Sequence, residues 1–377
     1  MNTEDLTEET DLPQPNDAQE KRKKLPLGLD LGTLESCILS KLSRPGSDEH
    51  HGIIVPSIVG FPEEGILAGI LPGNAQMLHG QDALDNELHL RLAYPLSDGV
   101  IHDLESARSF MAHLRTQVDP DGSREALCVI GIPAVADDHA KDNLKAAAKG
   151  AFDGVLLIPE PFLAALGLRD EEKLKDPDYV DPVSNSLFID IGAGTTDLCR
   201  VYGTIPGPGD QMHTGYAGDY VDNQIIVEVQ KKYNGAQITK DMARRWKEQY
   251  SFVSTSTPDE PIMVDFSIEG KAMSLDITDC IQAACESIVD PIVDNVKQLI
   301  AGSNPEFHDE FRRNMVLAGG GSGIRGLGAL IERRLSDMGE VNVHVVDDPV
   351  RLGAMGGLRL AMEVPEDMWK NLTLASR

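Results

Sequence analysis

A short design written twice constrains this chain more than anything else in it. Leu27-Gly-Leu-Asp-Leu-Gly-Thr (27–33) and Leu187-Phe-Ile-Asp-Ile-Gly-Ala-Gly-Thr-Thr (187–196) each present an apolar strand, an aspartate, a glycine turn and a hydroxyl residue, with strand-like residues following. Asp30 and Asp190 stand about one lobe's length of chain apart. Each half also has a strand leading into a helix: 127–132 before 136–152, and 315–319 before 326–338. Leu144, Ala148, Ala151 and Phe152 fall at helical spacing, as do Leu327, Leu330, Ile331 and Leu335. The pattern predicts a duplicated α/β unit with a cleft between its halves.

At 377 residues the chain exceeds one ordinary core, which also predicts two lobes. No uncharged apolar run approaches the ~20 residues that span a bilayer. Glu4, Asp5, Glu8, Glu9 and Asp11 stand where a secretion signal would be basic and then apolar. Five cysteines (Cys37, Cys128, Cys199, Cys280, Cys285) make an odd count without CxxC spacing, so a reduced cytoplasmic setting without disulfides or zinc is expected. A net charge of −27 argues against a nucleic-acid surface. Like subunits so charged repel over roughly 8–10 Å at physiological salt. Salt or divalent cations are therefore expected to favour any self-assembly.

Residues 1–24 are polar and acidic and close on Lys21-Arg22-Lys23-Lys24, which predicts a disordered tail. Its basic end offers a dock for a partner or an anionic membrane, although four charges are few. Helices are expected at 220–233, with Val221, Ile225 and Val229 on one stripe, and at 277–301. In the second, Pro291 predicts a kink or restart with Asp290 as cap. Residues 169–185 are charged and carry two prolines, as an exposed surface insertion would.

A nucleoside triphosphate needs backbone N–H donors at its phosphates and hard oxygen ligands for its Mg²⁺. Gly32-Thr33-Leu34 and Gly192-Ala193-Gly194-Thr195-Thr196 suit the first need from opposite sides. Asp30 and Asp190 suit the second through water, because magnesium keeps several of its waters. Either loop alone fits an ordinary turn; the matched pair is what carries the nucleotide reading. No GxxxxGK[ST] occurs, so the P-loop route is absent. The glycine cluster 317–323 lies between a strand and a helix and fits a ribose or phosphate contact, or a plain tight turn.

The DLGT loop, the DIGAGTTD loop and the GGGS cluster, in that order, resemble the phosphate and adenosine motifs of the actin, Hsp70 and sugar-kinase superfamily. The match runs from Leu25 to about Ala361. Arg244-Arg-Trp-Lys247-Glu248 resembles the actin element that grips adenosine, and 95–103 resembles bacterial actins where the chain leaves the small outer subdomain. Stretches outside the pocket narrow the resemblance to the actin-like proteins of magnetosome chains: 203–211, 247–253, 318–327 and 364–369.

The resemblance implies an α/β, actin-like, two-lobed fold of duplicated RNase H-like units with an ATP cleft. Lobe I would comprise 25–184 plus 347–377, with an outer subdomain at about 52–98; lobe II would comprise 185–346, with an outer subdomain at about 216–275. ATP and Mg²⁺ are the implied cofactors. Glu160 takes the place of the residue that orients the attacking water, with Asp190 as the second catalytic residue; a helix-start carboxylate favoured by the dipole is the plainer account of Glu160. Gly32, Thr33, Leu34 and 192–196 would hold phosphates. Gly218, Arg244, Lys247, Glu248, Gly320, Gly321 and Ser322 would line the adenosine pocket, although Arg-x-x-Lys-Glu on a helix also fits a solvated face.

The implied activity is ATP hydrolysis coupled to turnover of a cytoplasmic homopolymer that aligns magnetosomes through adaptor proteins. Neither nucleic-acid binding nor direct membrane insertion is expected. Rival readings on the same fold are a cell-shape or plasmid-segregation actin, a small-molecule kinase and a chaperone ATPase. Leu34 and Glu35 depart from the family pattern, and Glu35 would repel nucleotide unless it points away.

Overall fold

Both aspartate loops close the central strand of a sheet, and the two sheets are built alike. The computed structural model describes residues 22–41, 51–97, 100–133, 136–177 and 179–369. The acidic part of the tail, residues 98–99 and the end at 370–377 lie outside the described residues.

In the first sheet the central strand Lys24–Leu31 pairs antiparallel with Glu35–Ser40, which pairs with His51–Pro56. On its other side it pairs parallel with Glu125–Ile132, which pairs parallel with Gly154–Pro159. The second sheet repeats this order. Ser186–Ile191 is central, with antiparallel Thr196–Val201 and Gln211–Thr214 on one side and parallel Met315–Ala318 and Val343–Val345 on the other. Asp30 and Asp190 occupy equivalent places, facing Cys37 and Asp197 across their hairpins.

Each half also has a three-stranded outer sheet. Val59–Pro62, Leu78–His79 and Leu90–Ala93 form one, and Ala236–Gln237, Met263–Ile268 and Lys271–Asp276 form the other. The first encloses a small core of Ile58, Leu71, Leu78, Ala83 and Leu90.

The helix Glu160–Leu168 joins the two main sheets. Phe162, Leu163, Ala164 and Ala165 share one buried cluster with Leu127 and Val129 of the first sheet and Phe188, Cys199 and Val316 of the second. The late helix Leu352–Glu363 lies across it and over the first sheet at backbone contact. A β-carbon on Gly28 would sit 1.9 Å from the Ala354 carbonyl oxygen, and one on Gly356 would sit 1.8 Å from that of Leu163. Glycine is required at both places by space alone. The approach brings a distant part of the chain onto the strand that carries Asp30.

Several local expectations are corrected. The helix after Glu125–Ile132 spans Asp138–Ala148, capped by Asp137, whose carboxylate accepts from the Ala140 N–H at 2.7 Å. Ala151 and Phe152 lie beyond its end. The break near Pro291 falls earlier: helices Thr278–Glu286 and Val289–Ala301 flank it, and Pro291 sits in the first turn of the second, where no N–H is missed. Asp290 caps nothing and pairs with Arg334 at 2.8 Å. The 169–185 stretch is exposed over 171–177 and again at Val180 and Ser184, but it is not a loose insertion. Pro182 and Val183 are buried, the Asp170 N–H donates to the Tyr179 hydroxyl at 2.7 Å, and Arg169 pairs with Asp181 at 3.0 Å. No helix among the described residues is long and apolar enough to cross a membrane.

Gly356→Ala is expected to destabilise the protein by roughly 2–3 kcal/mol, because the helix must lift from Leu163 to admit a methyl group. Urea unfolding of the purified chain measures the shift, and an unchanged midpoint would contradict the backbone contact.

Candidate nucleotide site

Between the main sheets, Asp30, Glu160 and Asp190 converge on one region. Asp30 and Asp190 are each the penultimate residue of a central strand. Each is backed by a glycine from another element. A β-carbon on Gly353 would fall 2.4 Å from an Asp30 carboxylate oxygen, and one on Gly319 would fall 2.2 Å from one of Asp190. Gly319 also holds φ at +77°, which a side chain would resist. Glu160 opens the bridging helix, where the dipole favours negative charge, and its methylene lies against Gly131. Leu31, Ile132, Pro133 and Leu144 line a recess beside it.

The three acids are crowded and poorly hydrated. Burial pushes the Asp30 carboxyl up to about 6. Burial, then the charges of Asp30 and Asp197, pushes Asp190 up to about 7. Glu160 is raised well above the usual carboxylate range by burial, then by Asp30, Asp197 and Asp190. Such a set calls for a cation or a proton. Among the described residues no three acids, histidines or cysteines stand close enough to cage a metal directly. The carboxylates of Asp30 and Asp190 are hard oxygen donors of the kind that suits Mg²⁺.

The two turns differ in how they are held. In the second, the Gly192 N–H donates to the Thr195 carbonyl at 2.9 Å, while the Gly192 and Ala193 carbonyls accept from the N–H groups of Gly218 and Asp219 at 3.0 and 2.7 Å. A trans peptide points its N–H opposite to its C=O. Tying those carbonyls to the helix Gly218–Lys232 therefore turns the Ala193 and Gly194 N–H groups the other way. The Thr195 hydroxyl donates to Asp197 at 2.9 Å and that of Thr196 to the Tyr216 carbonyl at 2.8 Å, so backbone rather than hydroxyls is left for an anion. In the first turn, Gly32, Thr33 and Leu34 are half-buried and Glu35 is exposed. Alternation is not the cause, because Glu35 shares its strand face with the buried Cys37 and Leu39.

Gly218 joins the second turn to the expected adenosine residues. Lys247 Nζ donates to the Gly218 carbonyl at 2.9 Å and lies 2.8 Å from Asp222, which is fully buried. Arg244 approaches Asp219 at 3.4 Å and Asp222 at 3.6 Å. This face of the helix Lys240–Tyr250 is packed against charge rather than solvated, whereas Glu248 is exposed. Gly320, Gly321 and Ser322 form a short helical turn after Met315–Ala318; Ser322 is buried, and its hydroxyl donates to the Gly319 carbonyl at 2.7 Å.

Sequence reasoning missed Asp222 and Ser57. Asp222 had a signal, since it falls on the same helical stripe as Gly218, Val221, Ile225 and Val229, all buried. Ser57 had none: it is a lone serine after a proline, and only the fold carries it to Gly32.

Residues 24–368 match the family described as MreB/Mbl protein. The chain belongs to the MreB/Mbl family. Over 356 residues it is 34% identical to the Actin-like protein MamK of Paramagnetospirillum magneticum, covering 93% of this chain and 96% of that one. It is 33% identical to the Actin-like protein MamK of Magnetospirillum gryphiswaldense, covering 93% and 92%. A solved MamK double helical filament superposes with a TM-score of 0.81 at 34% identity, over 91% of this chain and all of that one. A non-polymerising MamK mutant bound to AMPPNP superposes at 0.69 and 33% identity, over 90% and 99%.

Within the MreB/Mbl family these matches favour the MamK branch, in line with the stretches outside the pocket. The actin-like α/β fold expected from the two aspartate loops is the fold observed.

The acid cluster sets a pH dependence. Folded Asp30 and Asp190 keep protons that the unfolded chain has released, so their contribution to stability falls as pH rises from about 4 to about 7. Asp190→Asn is expected to stabilise the nucleotide-free protein by about 1–3 kcal/mol at alkaline pH, after discounting for partial exposure, and by much less in acid. Urea midpoints at two pH values measure this, and equal shifts at both would remove charge as the cause.

Proposed function

We propose that this chain binds ATP–Mg²⁺ between its two lobes, hydrolyses it with Glu160, and assembles into a filament whose turnover follows hydrolysis. The observation that carries the reading is the meeting of Asp30, Glu160 and Asp190 between two turns whose outward N–H groups suit phosphates. In this reading lobe I comprises 25–184 with 347–377 and lobe II comprises 185–346. The turns at Gly32–Thr33–Leu34 and 192–196 hold the phosphates, and Gly218, Arg244, Lys247, Glu248, Gly320, Gly321 and Ser322 surround the adenosine.

Asp30 and Asp190 hold the Mg²⁺ through its waters. When bound, the ion neutralises charge on the phosphate oxygens and on the carboxylates around it. Glu160, at the head of the bridging helix, accepts a hydrogen bond from a water aligned with the terminal phosphate and takes its proton as attack proceeds. Burial and the neighbouring acids hold its carboxyl above the usual range, and a cation bound beside it would favour the carboxylate form that this exchange requires.

Self-assembly is supported by the likeness to a MamK double helical filament. A role in aligning magnetosomes is drawn from the likeness to the MamK relatives, and a cytoplasmic setting with adaptor proteins belongs to the same proposal. The bridging helix contacts both sheets, so loss of the terminal phosphate changes the lobe angle and with it the subunit contacts.

Glu160→Gln is expected to bind AMPPNP like the wild type while hydrolysis falls about 10²–10⁴-fold. A phosphate-release assay beside fluorescent-nucleotide binding measures both, and unchanged turnover removes Glu160 from this role. The net charge of −27 predicts that the ATP–Mg²⁺ form pellets more completely as salt rises. Failure to pellet at every salt concentration, checked by electron microscopy, would sink the filament reading.

A further inference from the structure

The turn after Asp30 is braced by one buried serine outside every motif named above. Ser57 is 1% exposed and follows directly on the strand His51–Pro56. Its hydroxyl donates to the Gly32 carbonyl at 2.7 Å, and its N–H donates to the Leu34 carbonyl at 2.8 Å. With that proton committed to Gly32, Ser36 is the donor in the 2.8 Å contact between the two serine hydroxyls. The next residue, Ile58, accepts from the Gly80 N–H at 3.0 Å and belongs to the core of the outer sheet. Ser57 thus stands between the turn and the outer sheet with no intervening residue.

We propose that Ser57 is a positioning residue: it sets the direction of the Thr33 N–H and links the state of the phosphate-facing turn to the outer sheet of the first lobe. The inference deepens the ATP-binding reading and rests on it. Holding the Gly32 carbonyl toward Ser57 fixes the peptide that follows, so the Thr33 N–H points to the opposite side. Asp30 stands in the acid cluster with Glu160, which the proposed reading sets against the terminal phosphate, and the turn after Asp30 is taken to lie on that side. A terminal phosphate that accepts from Thr33 loads the Gly32 peptide, and Ser57 passes the load to Ile58. A diphosphate leaves that peptide unloaded. A buried serine that merely satisfies its own hydroxyl predicts no difference between the two nucleotides.

The test compares wild type, Ser57→Ala and Ser36→Ala as full-length chains, using competition binding of AMPPNP and of ADP with Mg²⁺. Ser57→Ala is expected to lose about three- to tenfold in AMPPNP affinity while ADP affinity changes less than about twofold. Ser36→Ala, which leaves the Gly32 bond in place, is expected to keep the wild-type ratio. Hydrogen exchange supplies the second arm: AMPPNP protects outer-sheet amides in wild type more than ADP does, and Ser57→Ala abolishes that difference. Equal weakening of both nucleotides, or no weakening, overturns the proposal while leaving ATP binding intact. A wild type that binds neither nucleotide overturns the ATP reading and this inference together. If Ser57→Ala does not fold, Ser57→Cys keeps the volume with a weaker donor and is read by the same ratio.

Discussion

Asp30, Glu160 and Asp190 are held together where their mutual repulsion and poor hydration oppose it, and much of the fold supplies the force that keeps them there. Each comes from a different element, and each of those elements is anchored by apolar burial that begins right beside its acid, at Leu29 and Leu31, at Phe162 and Leu163, and at Ile189 and Ile191. The central strands lie between neighbours on both sides, and the Glu160 helix is packed in a cluster drawn from both sheets. Charging all three in such surroundings is unfavourable without a counter-ion. The arrangement makes physical sense as a preorganised seat for a cation and its phosphates, with the unfavourable term offset when they arrive.

Backbone contact is the second constraint. Gly353 and Gly319 let other elements touch the carboxylates of Asp30 and Asp190, and Gly28 and Gly356 let the late helix settle on the first sheet and on the Glu160 helix. These contacts couple the C-terminal part of the chain to the acids at its beginning. A motion of the late helix is therefore felt at Asp30. The two turns are braced differently, the second by the start of a helix and the first by Ser57, so the two lobes do not grip an anion symmetrically. Each turn therefore has its own route outward, the first through Ser57 to its outer sheet and the second through the helix Gly218–Lys232.

The residues around Gly218 show how far local chemistry reached. Resemblance assigns Arg244 and Lys247 to the pocket, and the structure turns Arg244 toward Asp219 and Asp222 and Lys247 toward Asp222 and the Gly218 carbonyl. Asp222 lay on a stripe whose period announced burial, so its role was legible in principle. The mistaken cap at Asp290 has a different cause: the side chain found Arg334, a partner 44 residues away that no local rule could supply.

By itself the sequence determined the duplicated design, the equivalent places of Asp30 and Asp190, and the family, because strand periodicity and glycine turns are local properties written within ten residues. Only the tertiary structure decided that Glu160 stands with both aspartates, that Gly353 lies against Asp30, and that Ser57 holds the first turn. Each of these joins residues far apart in the chain. Their meeting depends on packing between whole sheets and helices, which no window of sequence contains.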